Sequence, residues 1–197
     1  MSSPTRWAGV PLTDRRTERR GLLIAAAFTL FGEGGEAAVS VRSVCRECEL
    51  NTRYFYESFD TVDHLLGALY DDVNLHLAAA VQAAIEEADE ASPNRTRAGM
   101  VAVLRFSSED PRRGRILFTD ARTNPVLAER RLATQNLLFE MVVAEGGRQI
   151  PDPVAARVGA AMYTGAMVEL AQQWLAGNLG TDVDAVVDHA LTLVVRE

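Results

Sequence analysis

The chain has 197 residues, of which 48% are hydrophobic, and this length allows one or two domains with a sizeable apolar core. Its formal net charge of −7 disfavours a uniformly basic nucleic-acid-binding protein, and two cysteines are too few for a disulfide framework. No run approaches the ~18 apolar residues of a membrane span, and none has the pattern of a signal peptide. We therefore expect a soluble, cytoplasmic protein with no membrane partner.

Positive charge is relatively concentrated in the N-terminal part. Residues 1–59 hold eight Arg and seven acidic residues, whereas residues 60–197 hold 12 Arg and 20 acidic residues. Five Arg and only two acidic residues fall within residues 1–20. All basic residues are Arg, which a GC-rich genome explains, although Arg also suits bidentate contacts with phosphate and guanine. This distribution indicates that any contact with DNA is made by the N-terminal part.

The first predicted elements are an arm and a long helix. Residues 1–12 contain two prolines and no hydrophobic period, so we expect a mobile arm in which Arg6 and Trp7 are candidate DNA contacts. Residues 13–33 have the period of an amphipathic helix. The glycine pair at 34–35 ends it, because Gly accepts the left-handed backbone of a helix C-terminus. The inward stripe consists of Leu23, Ala26, Ala27, Leu30 and Phe31.

Residues 40–59 have the pattern of two short helices joined by a tight turn. Ser40 is a candidate N-cap, and the apolar face that follows at i, i+3, i+4 and i+7 is made of Val41, Val44, Cys45 and Cys48. Glu49-Leu50-Asn51 interrupts this period. In the second helix Phe55 and Phe59 point inward, which leaves on the outside Thr52, Arg53, Tyr54 and Tyr56. The outline is a helix-turn-helix, which places its second helix in the DNA major groove.

The remainder is predicted to be helical, because no segment of useful length alternates with period two. Asp60-Thr61 caps a helix that reaches about residue 90 and is long enough to connect two domains. Proline and glycine positions divide the rest into helices near 93–108, 111–121, 125–145, 153–177 and 182–195. We predict an all-α fold of about nine helices in three parts: a flexible arm (1–12), a helix-turn-helix domain (13–60) and a helical effector-binding and dimerisation domain (61–197).

Residues 14–66 resemble the DNA-binding domain of the tetracycline-repressor (TetR) family of bacterial transcriptional regulators. The similar segments are LLIAAAFTLF (22–31), SVRSVCREC (40–48), LNTRYFYESF (50–59) and the leucine pair at 65–66. The order and spacing of these segments are fairly specific, whereas the rest of the chain agrees only in length and helical character. The resemblance implies a regulator that binds operator DNA.

By the same resemblance, specific residues are expected to contact double-stranded operator DNA. Thr52, Arg53 and Tyr54 would face bases in the major groove. The Tyr56 hydroxyl and Arg42 would contact the phosphate backbone, and the N-terminus of the fourth helix would offer backbone N–H groups to a further phosphate. The complete predicted set is Ser40, Arg42, Asn51, Thr52, Arg53, Tyr54, Tyr56, Thr61 and His64.

Two residues depart from the family pattern. Glu49 stands in the turn where the family usually has Gly, and a left-handed backbone there would cost Glu about 1–2 kcal/mol relative to Gly. Val62 stands where the family often has Lys, and this change removes one phosphate contact. Both departures predict weaker DNA binding at a given salt concentration.

We recognise no catalytic or metal-binding constellation in the sequence. Cys45 and Cys48 form a C-x-x-C pair, but zinc would need two further ligands and a thioredoxin-like site would need a βαβ setting. We interpret both cysteines as small buried filler rather than as a redox or metal site. The three histidines are scattered along the chain, so we expect neither enzymatic activity nor a cofactor or bound metal.

The C-terminal part is predicted to form a homodimer and to bind an effector. Helices 153–177 and 182–195 have apolar stripes suited to a four-helix bundle across a two-fold axis. Within 65–170 the helices carry more apolar residues than one stripe requires, which indicates either a cavity for a small hydrophobic effector or a filled core. The candidate ligand-binding residues are His76, Met100, Leu104, Phe106, Leu117, Gln135, Asn136, Phe139 and Tyr163.

These patterns leave more than one function open. The favoured function is a ligand-responsive transcriptional regulator, a repressor that a small hydrophobic effector releases from a palindromic operator. One alternative is a dimeric DNA-binding regulator without an effector, whose C-terminal domain only dimerises or docks a protein partner. Another is a helical enzyme or carrier domain that has acquired an N-terminal three-helix domain. A roomy cavity with a few polar groups would distinguish the first function from the second.

Overall fold

The computed structural model describes residues 12–88, 92–120, 123–146 and 150–194. All regular secondary structure in these ranges is helical, which confirms the predicted all-α fold. The helices are α1 (Leu12–Gly34), α2 (Val41–Glu47), α3 (Thr52–Tyr56), α4 (Val62–Glu87), α5 (Ser92–Glu109), α6 (Pro111–Gly114), α7 (Pro125–Gly146), α8 (Pro153–Leu175) and α9 (Val183–Val194). The predicted arm, with Arg6 and Trp7, lies outside the described residues apart from its last position.

Side-chain caps begin α2 and α4. The Ser40 hydroxyl accepts from the Ser43 backbone N–H at 3.1 Å, and the Thr61 hydroxyl accepts from the His64 N–H at 3.1 Å. Each cap satisfies one of the free donors at a helix start, and both are at the positions that the sequence predicts. At the end of α1, Gly35 has φ 69°, which confirms the predicted glycine stop.

One apolar cluster joins α1, α2 and α3 to α4 and to Ile116, Leu117 and Leu127. Phe31 and Phe55 are fully buried in it, and Leu66 of α4 and Leu127 of α7 are each only 1% exposed. Burying side chains of this size stabilises the fold by about 1.5–3 kcal/mol each. Because α3 has only five residues, its helical conformation depends on this packing more than on its own hydrogen bonds.

A second apolar cluster lies between α5, α8 and α9. Val187 of α9 is fully buried there beside Leu104 and Met167. Arg97 of α5 also forms ion pairs of 2.9 and 2.7 Å with two aspartates of α9. Part of the apolar stripe of α9 therefore packs against α5 and α8 within the single chain, and the role of this stripe in a dimer interface stays a prediction.

The outer side of α8 is apolar and exposed. Val154, Val158 and Met162 are 69%, 54% and 70% exposed, respectively. A Cβ atom added to Gly159 or Gly165 would meet no neighbouring atom within 4 Å. We call this surface the α8 face. It has the apolar and small residues that the predicted dimer bundle requires of this helix.

The predicted helix near 111–121 is interrupted. After α6, residues Arg115–Thr119 form a π-helical turn. The Arg131 guanidinium of α7 donates at 2.8, 2.8 and 2.6 Å to the carbonyl oxygens of Leu117, Ile116 and Asp120, respectively. A side chain from the neighbouring helix thus satisfies carbonyl groups of the wider turn.

Asn124 connects α7 to the segment after α1 and to the start of α4. It is only 5% exposed, and its Oδ1 accepts from the Leu127 N–H at 3.0 Å. Its Nδ2 donates to the Glu36 carboxylate at 2.7 Å and to the Asp63 carboxylate at 3.2 Å. One buried amide therefore joins three parts of the chain that are far apart in sequence.

Candidate nucleic-acid interface

The start of α2 is fixed by two serines and presents an arginine to solvent. Besides the Ser40 cap, the Ser43 Oγ accepts from the Ser40 N–H at 2.9 Å, so the two side chains cap each other's backbone. Val44 and Cys45, on the opposite side of α2, are buried in the first cluster. Arg42 is exposed, which is the placement that a phosphate contact requires.

The turn between α2 and α3 is strained at the predicted residue. Glu49 has φ 54° and is the only non-glycine residue with a positive φ in the described part of the chain. The Leu50 N–H donates to the Cys45 carbonyl at 2.9 Å and closes the turn. Since the left-handed backbone costs a residue with a Cβ about 1–2 kcal/mol, this turn is less stable than it would be with Gly.

α3 divides its side chains largely as predicted. Phe55 is fully buried, whereas Thr52, Arg53 and Tyr56 are exposed. Asn51 has a role that the sequence analysis missed: its Oδ1 accepts from the Arg53 N–H at 2.9 Å and caps the helix. Tyr54 differs from the prediction, because it is half-buried.

Arginines of α1 explain the position of Tyr54. The Arg19 guanidinium lies 4.3 Å from the centre of the Tyr54 ring, a cation–π contact. The same guanidinium is 3.5 Å from the Glu57 carboxylate, and Arg16 donates to the Glu57 backbone carbonyl. Glu57 also accepts from the Arg53 Nε at 3.0 Å. Thus α1 holds α3 through polar contacts as well as through the apolar cluster.

The start of α4 completes the candidate interface. Tyr56 is 60% exposed, and Thr61 and His64 are exposed at the first turn of α4. Val62 is half-buried against the first cluster, so its apolar side chain packs there instead of reaching toward a phosphate. Eight of the nine predicted DNA contacts are exposed, with Tyr54 as the exception. Their contact with DNA stays a prediction.

The two cysteines are in environments that suppress thiol chemistry. Cys45 is buried and Cys48 is half-buried, and burial raises the pKa of both thiols. The Cys48 Sγ donates to the Val44 carbonyl at 3.1 Å. Because a thiol must ionise to act as a nucleophile or a metal ligand, these environments agree with the interpretation as small filler. Within the described residues, no group of three or more His, Cys, Asp or Glu side chains could hold a metal ion.

The predicted ligand-binding residues are divided among different environments. Met100 and Leu104 are buried in the second cluster and Leu117 in the first. Phe139 is half-buried, 4.9 Å from the guanidinium carbon of Arg157. Three polar members of the set are exposed, namely His76, Gln135 and Asn136.

Tyr163 and Phe106 are the remaining predicted ligand contacts. Tyr163 is half-buried against the second cluster, where burial raises the pKa of its hydroxyl. Phe106 lines an open groove of about 450 Å³ along α4 and α5, together with several alanines, Arg97 and Arg105. A smaller groove of about 270 Å³ lies beside the start of α4 and includes His64. The described structure does not gather the predicted set around either groove, and its role in ligand binding stays a prediction.

Comparison with known proteins identifies the N-terminal segment. Residues 23–69 match the family model described as bacterial regulatory proteins, tetR family. The HTH-type transcriptional repressor of Mycobacterium tuberculosis (strain ATCC 25618 / H37Rv) is 34% identical over 73 residues, which cover 34% of this chain and only 39% of that relative. The HTH-type transcriptional activator FasR of Mycolicibacterium smegmatis is 25% identical over 178 residues, which cover 88% of this chain and 80% of the relative.

The fold as a whole is also similar to solved structures. FadR from Bacillus subtilis, solved in complex with stearoyl-CoA, has a TM-score of 0.68 and 16% identity, with coverage of 89% of this chain and 97% of that chain. This likeness shows a shared fold. No helix in the described part of the chain is long and apolar enough to cross a membrane. The helix-turn-helix formed by α2 and α3 lies inside residues 23–69, the segment that matches the tetR family of bacterial regulatory proteins.

Proposed function

We propose that this chain is a transcriptional repressor that binds a palindromic operator as a homodimer. The observation that carries the proposal is the exposed surface of α3, held in place by the Asn51 cap and by arginines of α1. The M. tuberculosis relative is named a repressor, which supports this direction of regulation, whereas FasR is named an activator. A regulator of either kind needs the same DNA-reading surface.

Each residue of the predicted DNA-binding set has a role in this proposal. Arg53 and Thr52 read base edges in the major groove, and Tyr54 adds an aromatic edge beside them. The backbone contacts come from Arg42 and Tyr56, and from the first turn of α4 with Thr61 and His64. Ser40 and Asn51 fix the starts of α2 and α3.

Substitutions at Arg53 and Arg42 test the proposed division between base and phosphate contacts. Mobility shifts on a genomic fragment library should reveal preferred fragments for the wild-type chain. Arg53→Ala should reduce the preference by about 1–3 kcal/mol per lost base contact. Arg42→Ala should weaken binding to all fragments alike and flatten the salt dependence. If the wild-type chain prefers no fragment at low salt, the proposed function is wrong.

The proposed dimer uses the α8 face. Its large side chains are more than half exposed in the single chain, and its glycines allow two helices to approach closely. An isologous contact through this face would relate the two copies of α3 by a two-fold axis, which is the symmetry that a palindromic operator matches.

We further propose that a small hydrophobic effector releases the repressor. FadR from B. subtilis, which shares the fold, was solved with stearoyl-CoA, and this supports an acyl thioester as the first compound to test. The alternative, a regulator without an effector, is favoured by the separation of Met100, Leu117 and the exposed Asn136.

A displacement experiment separates the two alternatives. Stearoyl-CoA is titrated into the complex of the wild-type chain with its preferred fragment, and free coenzyme A serves as the matched control. Release by stearoyl-CoA alone supports the effector proposal, because only differential affinity for the two states can shift the equilibrium. Absence of release, together with an unchanged melting temperature, favours the regulator without an effector.

A further inference from the structure

Glu57, the residue that follows α3, is placed between two arginines with different surroundings. Its Oε1 accepts from the Arg53 Nε at 3.0 Å, and its Oε2 lies 3.5 Å from a terminal nitrogen of Arg19. The Arg19 side chain is 24% exposed and packs over Tyr54, whereas that of Arg53 is 84% exposed. The carboxylate therefore links an anchored arginine of α1 to Arg53, the exposed arginine of α3.

The contact with Glu57 determines which edge of Arg53 remains available. A guanidinium has five N–H donors in a rigid plane, and Glu57 engages the Nε side. The two terminal nitrogens lie on the far edge of the plane. This edge matches the paired O6 and N7 acceptors that guanine presents in the major groove.

The same contact competes with phosphates. An unrestrained arginine beside a duplex pairs with phosphate oxygens, and such pairing carries no sequence information. A carboxylate bound to the Nε side reduces the effective charge of Arg53 and restricts its rotation. Arg16 supports this placement, because it donates to the Glu57 backbone carbonyl and so ties the end of α3 to α1.

We propose that Glu57 is a positioning residue that holds Arg53 for bidentate recognition of a guanine in each operator half-site. Arg19 keeps Glu57 in place and stacks on Tyr54, so one arginine of α1 orients a side chain of α3 and the side chain that follows it. The inference rests on the proposed function, since it requires an operator. It adds the base that Arg53 reads and the residue that makes the reading selective.

The test compares Glu57→Gln with the matched control Glu47→Gln, which removes the same charge from the end of α2. The guanine that Arg53 reads is identified first. It is the operator position at which a base substitution lowers the affinity of the wild-type chain but not that of Arg53→Ala. Affinities are measured for the operator with guanine or adenine at that position, for non-operator DNA and as a function of salt. Melting temperatures of all variants are recorded without DNA.

We expect Glu57→Gln to lower the guanine-over-adenine preference by about tenfold, the order of discrimination that one bidentate contact supplies. Affinity for non-operator DNA should rise, and the slope of log K against log salt should steepen by about one, because Arg53 becomes available to a phosphate. Glu47→Gln should raise non-operator affinity and retain the guanine preference. A role in stability alone would lower affinity for all DNA together with the melting temperature.

Several outcomes would overturn the proposal. The first is an unchanged guanine preference in Glu57→Gln while Arg53→Ala loses it, which would leave the proposed function standing. The second is a uniform loss of affinity with a lower melting temperature, which would assign Glu57 a structural role only. The third is a wild-type chain with no preferred operator, which would remove the proposed function as well.

Discussion

At the scale of single residues, Glu49 carries the strain of the turn between α2 and α3. Its φ of 54° places the backbone in the left-handed region, where a Cβ atom causes a steric penalty that glycine avoids. The residue is exposed, so its side chain contributes little packing that would offset this cost.

Replacement of this residue should stabilise the chain. Glu49→Gly is expected to raise the free energy of unfolding by about 1 kcal/mol, since the penalty is relieved and only part of it is offset by the extra freedom of Gly in the unfolded state. Urea titration measures the change. Glu47→Gly, at the last residue of α2, is the control and should not stabilise the chain, because a helical backbone gives Gly no advantage. Equal effects at the two positions would contradict the assignment of strain to Glu49.

Sequence reasoning succeeded at residues whose partners are near in sequence. Ser40 and Thr61 cap helices through N–H groups three positions ahead, and such contacts follow from local spacing. Glu57 was missed because its contacts with α1 join positions 38 and 41 apart. Such contacts depend on the packing of α1 against α3, which hydrophobic periodicity does not specify.

At the scale of elements, α6 begins with a cap whose strength depends on pH. The Asp110 carboxylate accepts from the Arg112 backbone N–H at 3.1 Å and from its guanidinium at 2.9 and 2.8 Å. The Arg112 guanidinium lowers the pKa of Asp110 below its usual 3.8. A carboxyl group with a lowered folded-state pKa stabilises the fold above its unfolded pKa, and this stabilisation is lost as the pH falls through the folded pKa.

Asp110→Asn should therefore have a pH-dependent effect. Asparagine can still accept the backbone N–H at the cap, but it lacks the charge that pairs with Arg112. We expect the variant to be less stable than the wild type at pH 7 by less than about 1 kcal/mol, because the pair is partly exposed. Near pH 2 the two proteins should differ little. Thermal denaturation across this pH range measures the difference, and Asp152→Asn at the α8 cap is the control. A stability difference between the wild type and Asp110→Asn that did not vary with pH would contradict this expectation.

The order and boundaries of the helices were predictable from the sequence, whereas the elements that each helix packs against were less predictable. Prolines at the starts of α6, α7 and α8 and glycines after α1 and α8 place boundaries by local backbone geometry. The π-helical turn at Arg115–Thr119 was missed, because its carbonyls are satisfied by Arg131 from α7. The stripe of α9 was real, but its amphipathic pattern does not say which surface buries it.

At the scale of the whole molecule, the α8 face is the surface that a second copy is expected to cover. We predict that light scattering of the wild-type chain gives about twice its 21.5 kDa. Met162→Glu should yield monomers at micromolar concentration, because a carboxylate in a closely packed apolar interface would lose its hydration. Leu75→Glu is the matched control, since Leu75 of α4 is 68% exposed, close to the 70% of Met162. A dimeric Met162→Glu protein would exclude this face as the interface.

For the molecule as a whole, the sequence could not predict whether the helices enclose a ligand cavity. Apolar residues on several sides of α5 and α7 are compatible with a cavity or with a filled core. Packing decides between these, and it buries Leu104 fully while leaving Leu137 of α7 64% exposed. The choice depends on how helices from distant parts of the chain assemble, and on a second copy of the chain.

The most direct measurement is a hydroxyl-radical footprint of the wild-type chain on its preferred genomic fragment. The account predicts two protected regions related by a two-fold axis, with centres about 10–10.5 base pairs or a multiple of that spacing apart. Protection should be lost in Arg53→Ala and reduced in the monomeric Met162→Glu. A single asymmetric protected region, or uniform protection without sequence preference at low salt, would contradict the claim that this chain reads a palindromic operator as a dimer.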